Sequence, residues 1–129
     1  MFDKNHIYIV AGDEMQKLMS SKFPERDIIP FREDLSRGEY EGFSIDEEFI
    51  RHRAAFWNIS EKEYTENISP IVNLDMSQNY ILCFGEDECC KANLEFVIAY
   101  LKHRGYTKSI HVQIVDEYNL EMQREYVVE

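Results

Sequence analysis

Two stretches of this chain run apolar with no polar alternation, His6-Ile7-Tyr8-Ile9-Val10 and Tyr80-Ile81-Leu82-Cys83-Phe84. A strand with one wet face alternates with period two, so these two predict strands buried on both faces, as in the middle of a parallel sheet. Asp27 to Phe31 predicts a shorter strand. Pro30 cannot donate to a ladder, which puts that strand at an edge. Ile110 to Val115 predicts the last clear strand. Between the strands the apolar spacing becomes helical. Met15, Leu18 and Met19 mark a helix over Glu14 to Ser21, and Phe23-Pro24 closes it. Ser44-Ile45-Asp46-Glu47 reads as a capping box, followed by Phe49, Ile50, Arg53, Phe56 and Trp57 on one helix side. Ser60-Glu61-Lys62-Glu63 opens a third helix, expected to run to about Ile68. A long helix from Asp87 carries Cys90, Leu94, Val97, Ile98 and Leu101 on one stripe, with Phe96 and Tyr100 beside it. The tail from Glu117 mixes charged and apolar residues and selects no single state.

The order β-α-β-(α-α)-β-α-β predicts an α/β fold, a three-layer sandwich around a mainly parallel four-stranded sheet. The expected strand order is 2-1-3-4, half of a Rossmann- or flavodoxin-like fold, in a single domain over residues 1–129. All four strands then run into acidic residues at their carboxyl ends: Gly12-Asp13, Glu33-Asp34, Gly85-Glu86-Asp87 and Asp116-Glu117. Ligands of open α/β sheets bind at that edge, where strand order reverses, here between Asp13 and Asp87.

Charge and cysteine content narrow the classes. The chain has 129 residues and a net charge of −11, which argues against a surface that tracks nucleic-acid phosphates. Cys83, Cys89 and Cys90 form no C-x-x-C pair, and their odd count opposes a disulfide framework. Met1 to Asn5 lacks the basic start of a signal peptide, and no apolar run nears the roughly 20 residues of a membrane span. A cytoplasmic domain is expected, with no membrane partner.

Clustered carboxylates need a cation, an arginine or a shared proton to be tolerated. Asp13, Asp34, Glu86 and Asp87 are therefore candidate ligand-binding residues, with Asp13 and Asp87 as candidate metal ligands. Hard oxygens suit Mg²⁺ or Mn²⁺. Each has a plainer role: Asp87 or Asp13 as a helix cap, Asp34 as surface. Arg53 shares a helix side with Phe49, Phe56 and Trp57, so its guanidinium is expected to reach the acidic edge and pair with a carboxylate there. Asn93 lies two turns into the last helix, either as a ligand contact or as solvated surface. Cys90 begins the apolar stripe and reads as a structural thiol. Neither glycine-rich phosphate-loop pattern and no G-x-S-x-G elbow occurs.

Four pieces together resemble one bacterial family, the domain of unknown function numbered eighteen-thirty-five. They are Gly12-Asp13, Asp34-Leu35-x-x-Gly38, Arg53-x-x-Phe56-Trp57 and Phe84-Gly85-Glu86-Asp87-x-x-Cys90-x-x-Asn93-Leu94. The chain departs from the family pattern at Lys91, where glutamine is usual, and at Glu39, where proline often follows the glycine. The resemblance implies an α/β fold and a polar site at Asp13, Asp34, Arg53, Asp87 and Asn93. It implies no activity.

The residues thus point to a polar, acidic small-ligand site at the strand C-termini. The expected occupant is a small anionic or nucleotide-like ligand, with metal-assisted phosphoester or nucleotide chemistry as the reaction class. The alternative is a non-catalytic interaction or regulatory module, and a homo-oligomer is compatible with either.

Overall fold

A computed structural model describes residues 6–129; the reading of Met1 to Asn5 lies outside the described residues. The elements are β1 (His6–Val10), α1 (Asp13–Lys22), β2 (Asp27–Pro30), α2 (Glu47–Trp57), α3 (Glu61–Val72), β3 (Asn79–Phe84), α4 (Glu88–His103), β4 (Ile110–Val115) and β5 (Met122–Val128). They form a mixed α/β fold around one open sheet of order β2-β1-β3-β4-β5. The first four strands are parallel and in the expected order. The sheet has five strands, however, not four. The tail returns as β5, antiparallel to β4, through the connection of residues 116–121. Its outward positions are too polar for the apolar pattern of a buried strand, because β5 lies at the edge and five of its seven residues are exposed.

The two unbroken apolar strands are interior and adjacent, as expected, but with β5 paired on its far side β4 is interior too. Alternate residues of each serve opposite faces of the sheet. Ile9, Tyr80, Leu82 and Phe84 join the larger apolar cluster with residues of α2, α3 and α4. Tyr8, Val10, Ile81 and Cys83 join a smaller cluster with Met15 and Met19 of α1. Phe96 of α4 is fully buried and stacks near Phe31, Phe49 and Tyr100, which ties β2 and α2 to α4. Phe56, expected on the buried side of α2, is 42% exposed; Ala54 takes the core position instead.

Two helix boundaries differ from expectation. The cap of α2 is Asp46, whose carboxylate accepts from the Phe49 N–H at 2.9 Å, and not Ser44 two residues earlier. α3 begins at Ser60 as expected but continues through Pro70 to Val72. Proline has no N–H for the Glu66 carbonyl one turn back, and the Ser69 hydroxyl donates to that carbonyl at 2.9 Å. The helix therefore survives its proline. Among the described residues no helix is long and apolar enough to cross a membrane.

Candidate functional site

The acidic edge divides into two constellations. The first is built around Glu33, just beyond β2. Arg53 lies inward on α2 with its side chain at 0% exposure, as is that of Glu33, and the two form a two-pronged pair. Arg53 Nε donates to Glu33 Oε2 at 2.8 Å and one terminal nitrogen donates to Oε1 at 2.7 Å. The remaining guanidinium bonds go to the carbonyls of Asp34, Arg37 and Glu39. A guanidinium has five N–H groups, and all five are used. The carboxylate is equally full, accepting also from Trp57 Nε1 at 2.8 Å, the Tyr64 hydroxyl at 2.6 Å and the Asp34 N–H at 2.8 Å. Burial pushes the Glu33 carboxyl up, but the Arg53, Tyr64 and Asp34 donors outweigh it and hold it below its ordinary range. Burial beside the Glu33 charge raises the Tyr64 phenol strongly, so it stays a proton donor.

Asn93 completes this structure from α4. It is fully buried rather than solvated; its oxygen accepts from the Leu35 N–H at 2.9 Å, and its amide donates to the Glu33 carbonyl at 2.6 Å. Arg53 and Asn93 thus grip the backbone after β2 from two helices. The expected pairing of Arg53 with an acidic-edge carboxylate holds, and its partner is Glu33. With every donor and acceptor engaged internally, these residues have nothing left for a ligand. Asp34 turns its own loop, accepting from the Ser36 N–H and hydroxyl. Burial raises the Asp34 carboxyl, while Ser36 and the Cys89 thiol lower it to a net depression.

The second constellation lies at the C-terminal ends of β1 and β3, the reversal point of strand order. A crevice of about 240 Å³ is lined there by Gly12, Asp13, Asp87, Cys89, Cys90 and Glu117, with Ala11, Glu14 and Met15. Asp87 caps α4, accepting from the Cys90 N–H at 2.8 Å. Cys90 is buried, and its sulfur lies 3.4 Å from Glu117 Oε1. One ligand atom from each of Asp87, Cys90 and Glu117 falls within 4.8 Å of the other two. Glu117 arrives from the β4–β5 hairpin, whose turn is closed by Asp116 accepting from the Tyr118 and Asn119 N–H groups. Its side chain lies directly on Gly85, where any Cβ would collide with the carboxylate. Gly85 is therefore what lets Glu117 reach the crevice.

The two acids are shifted in opposite directions. The Asp87 hydrogen bond and then burial raise the Glu117 carboxyl. Burial also raises Asp87, but the Cys90 N–H and Glu117 outweigh it, and its net shift is downward. Burial and the neighbouring acids push the thiols up, Cys89 to about 12 and Cys90 further. A metal bound there would have to displace the thiol proton.

Asp13 lines the same crevice without joining the three-residue cluster. It is the first residue of α1 and not its cap, which is Gly12, and its carboxylate accepts from Arg32 Nε at 2.8 Å. Glu86 does not line this crevice; it lines a wider groove between α4 and β5 with Lys91, Leu94 and Arg124, and a neighbouring pocket together with Asp87, Asp116 and Glu117. The expected set is therefore split. Asp13 and Asp87 both line the crevice, Arg53 and Asn93 form a structural clamp beside Asp34, and Glu86 lines the adjoining pocket with Asp87 and Glu117. Sequence reasoning singled out neither Glu33 nor Glu117. The available signal was their place beside Asp34 and Asp116 at strand ends, together with the glycine at position 85.

Compared with known proteins, the chain matches no family model, no curated protein and no solved structure. The resemblance to family eighteen-thirty-five rests on its motif residues alone.

Proposed function

We propose that this protein binds a divalent cation, and through it a small anionic ligand, in the crevice between the ends of β1 and β3. The observation that carries this reading is the meeting of Asp87 and Glu117, two carboxylates from separate strand ends, in a crevice with Asp13 at its wall. Two neighbouring carboxylates repel, and a cation, an arginine or a shared proton is needed to offset that; neither Asp87 nor Glu117 has an arginine partner among the ion pairs of the described residues. A cation would relieve the repulsion between them. The flavodoxin-like reading of the fold agrees, since ligands of such sheets sit at the strand-order reversal.

The crevice, about 240 Å³, would accommodate an ion and a phosphate- or carboxylate-sized group, while most of a nucleotide would lie outside it. Where the protein acts as an enzyme, metal-assisted phosphoester chemistry on a small substrate is the class that suits these ligands. The saturated clamp around Arg53 is left out of the site; it holds the backbone after β2, which supplies no residue to the crevice.

Thermal unfolding with and without added divalent ions tests the reading. A ligand at about 100 times its Kd adds about 2.7 kcal/mol, or about 10 °C for a domain of this length. Wild type should show such a shift and Asp87→Asn should lose it while keeping its unfolding temperature without metal. No shift with Mg²⁺, Mn²⁺, Co²⁺ or Zn²⁺ would defeat the proposal.

A further inference from the structure

We infer that the cation held in this crevice is a borderline, thiophilic divalent ion of the Zn²⁺ or Co²⁺ type, with the Cys90 sulfur as a ligand beside Asp87 and Glu117. This rests on the cation-site reading above and replaces its all-oxygen ligand set. The spacing is the first ground. Bonds of about 2.3 Å to sulfur and about 2.1 Å to a carboxylate oxygen, at tetrahedral angles, separate the two ligand atoms by roughly 3.6 Å. Cys90 Sγ and Glu117 Oε1 stand 3.4 Å apart, and Asp87 lies within 4.8 Å of both.

The second ground is how the three ligands are presented. Asp87 caps α4 and Cys90 follows three residues later, so both face the same side of the helix entrance. Asp87 uses Oδ1 for the Cys90 N–H, and its second oxygen is the one a cation would take. Cys90 is 4% exposed, yet it lines the crevice as well as the core. Glu117 closes the set from the hairpin, across the space that Gly85 leaves open. A fourth ligand, a water or a small anion, would have to come from the crevice that these residues line together with Asp13. Mg²⁺ requires near-octahedral oxygen ligation and gains little from a thiol, whereas thiolate with carboxylate suits Zn²⁺ and Co²⁺.

The test is a titration of the full chain, reduced and metal-free, with Co²⁺ followed by absorption spectroscopy. The expected result is a sulfur-to-cobalt charge-transfer band that saturates at one equivalent and disappears when Zn²⁺ is added. Cys90→Ser should abolish the band and weaken cobalt binding at least tenfold, and Glu117→Gln should weaken binding comparably. Cys83→Ala, in the sheet and outside the cluster, should keep the band. Loss of the band in Cys83→Ala, or its survival in Cys90→Ser, overturns the assignment. Should Cys90→Ser fail to fold, the wild-type spectrum and Glu117→Gln decide alone. Stabilisation by Mg²⁺ or Mn²⁺ with no charge-transfer band under Co²⁺ overturns this inference and leaves the cation site standing. No response to any ion overturns both.

Discussion

Glu33 and Glu117 are glutamates just beyond strands of one sheet, and they end in opposite conditions. Glu33 is sealed under five hydrogen bonds, from Arg53 twice and from Trp57, Tyr64 and the Asp34 N–H. Glu117 meets another carboxylate and a thiol, with Gly85 beneath it. The first carboxyl is held below its usual range and the second above it. A fully served carboxylate is spent on holding the fold. One short of donors and beside a second carboxylate is chemically available, and a cation would relieve its repulsion.

The largest expected effect comes from opening the sealed side. Arg53→Ala strands a buried carboxylate and should cost about 3–5 kcal/mol in urea unfolding. The double change Arg53→Met with Glu33→Leu should recover much of that loss, because no unpaired charge remains. A small cost for Arg53→Ala would mean that Glu33 is not sealed. Titration sharpens the contrast further. The Glu33 carboxyl is depressed in the folded state, so its contribution is complete above its ordinary pKa of 4.5 and fades as pH falls through the lower folded value. The stability gap between wild type and Glu33→Gln should therefore hold from neutral pH to about 5 and narrow below 4.5. A gap that does not change with pH counts against the depressed carboxyl.

The open side should respond more gently. Asp87→Ala removes the α4 cap and should cost about 1 kcal/mol, whereas Asp87→Asn, which still caps, should cost a few tenths by the same unfolding measurement. Glu117 works in the opposite sense to Glu33. Its folded carboxyl is raised, so stability declines as pH climbs from 4.5 through the folded value. Glu117→Gln should thus stabilise the metal-free protein at neutral pH by a few tenths of a kcal/mol, the scale of exposed charge pairs. The same change should remove stabilisation by added cation. Destabilisation by Glu117→Gln without metal would show that the carboxylate is structural, like Glu33.

Most of the parallel sheet was legible in the chain because its signals are local. Unbroken apolar runs mark β1 and β3 as central strands, and Pro30 marks β2 as an edge. Helical spacing with Ser60 and Asp87 as caps marks α3 and α4. These depend on neighbours a few residues apart. The hairpin strand β5 carries no such signal, since an edge strand packs too little to impose a pattern. The failure at Ser44 has another cause: the capping box there competes with Asp46, and backbone geometry decides between two adequate caps.

The functional edge divides along the same line. The sequence by itself determined that acidic residues end each parallel strand, and that a charged Arg53 on an apolar helix side must find a partner. Which carboxylate takes Arg53 was decided 20 residues away in the chain, and Asn93 finds the Glu33 backbone across 60. Cys90 meets Glu117 across 27 residues only because the hairpin folds back over a glycine. A carboxylate's role depends on the number of donors that surround it, and those donors come from elements the chain brings together only on folding.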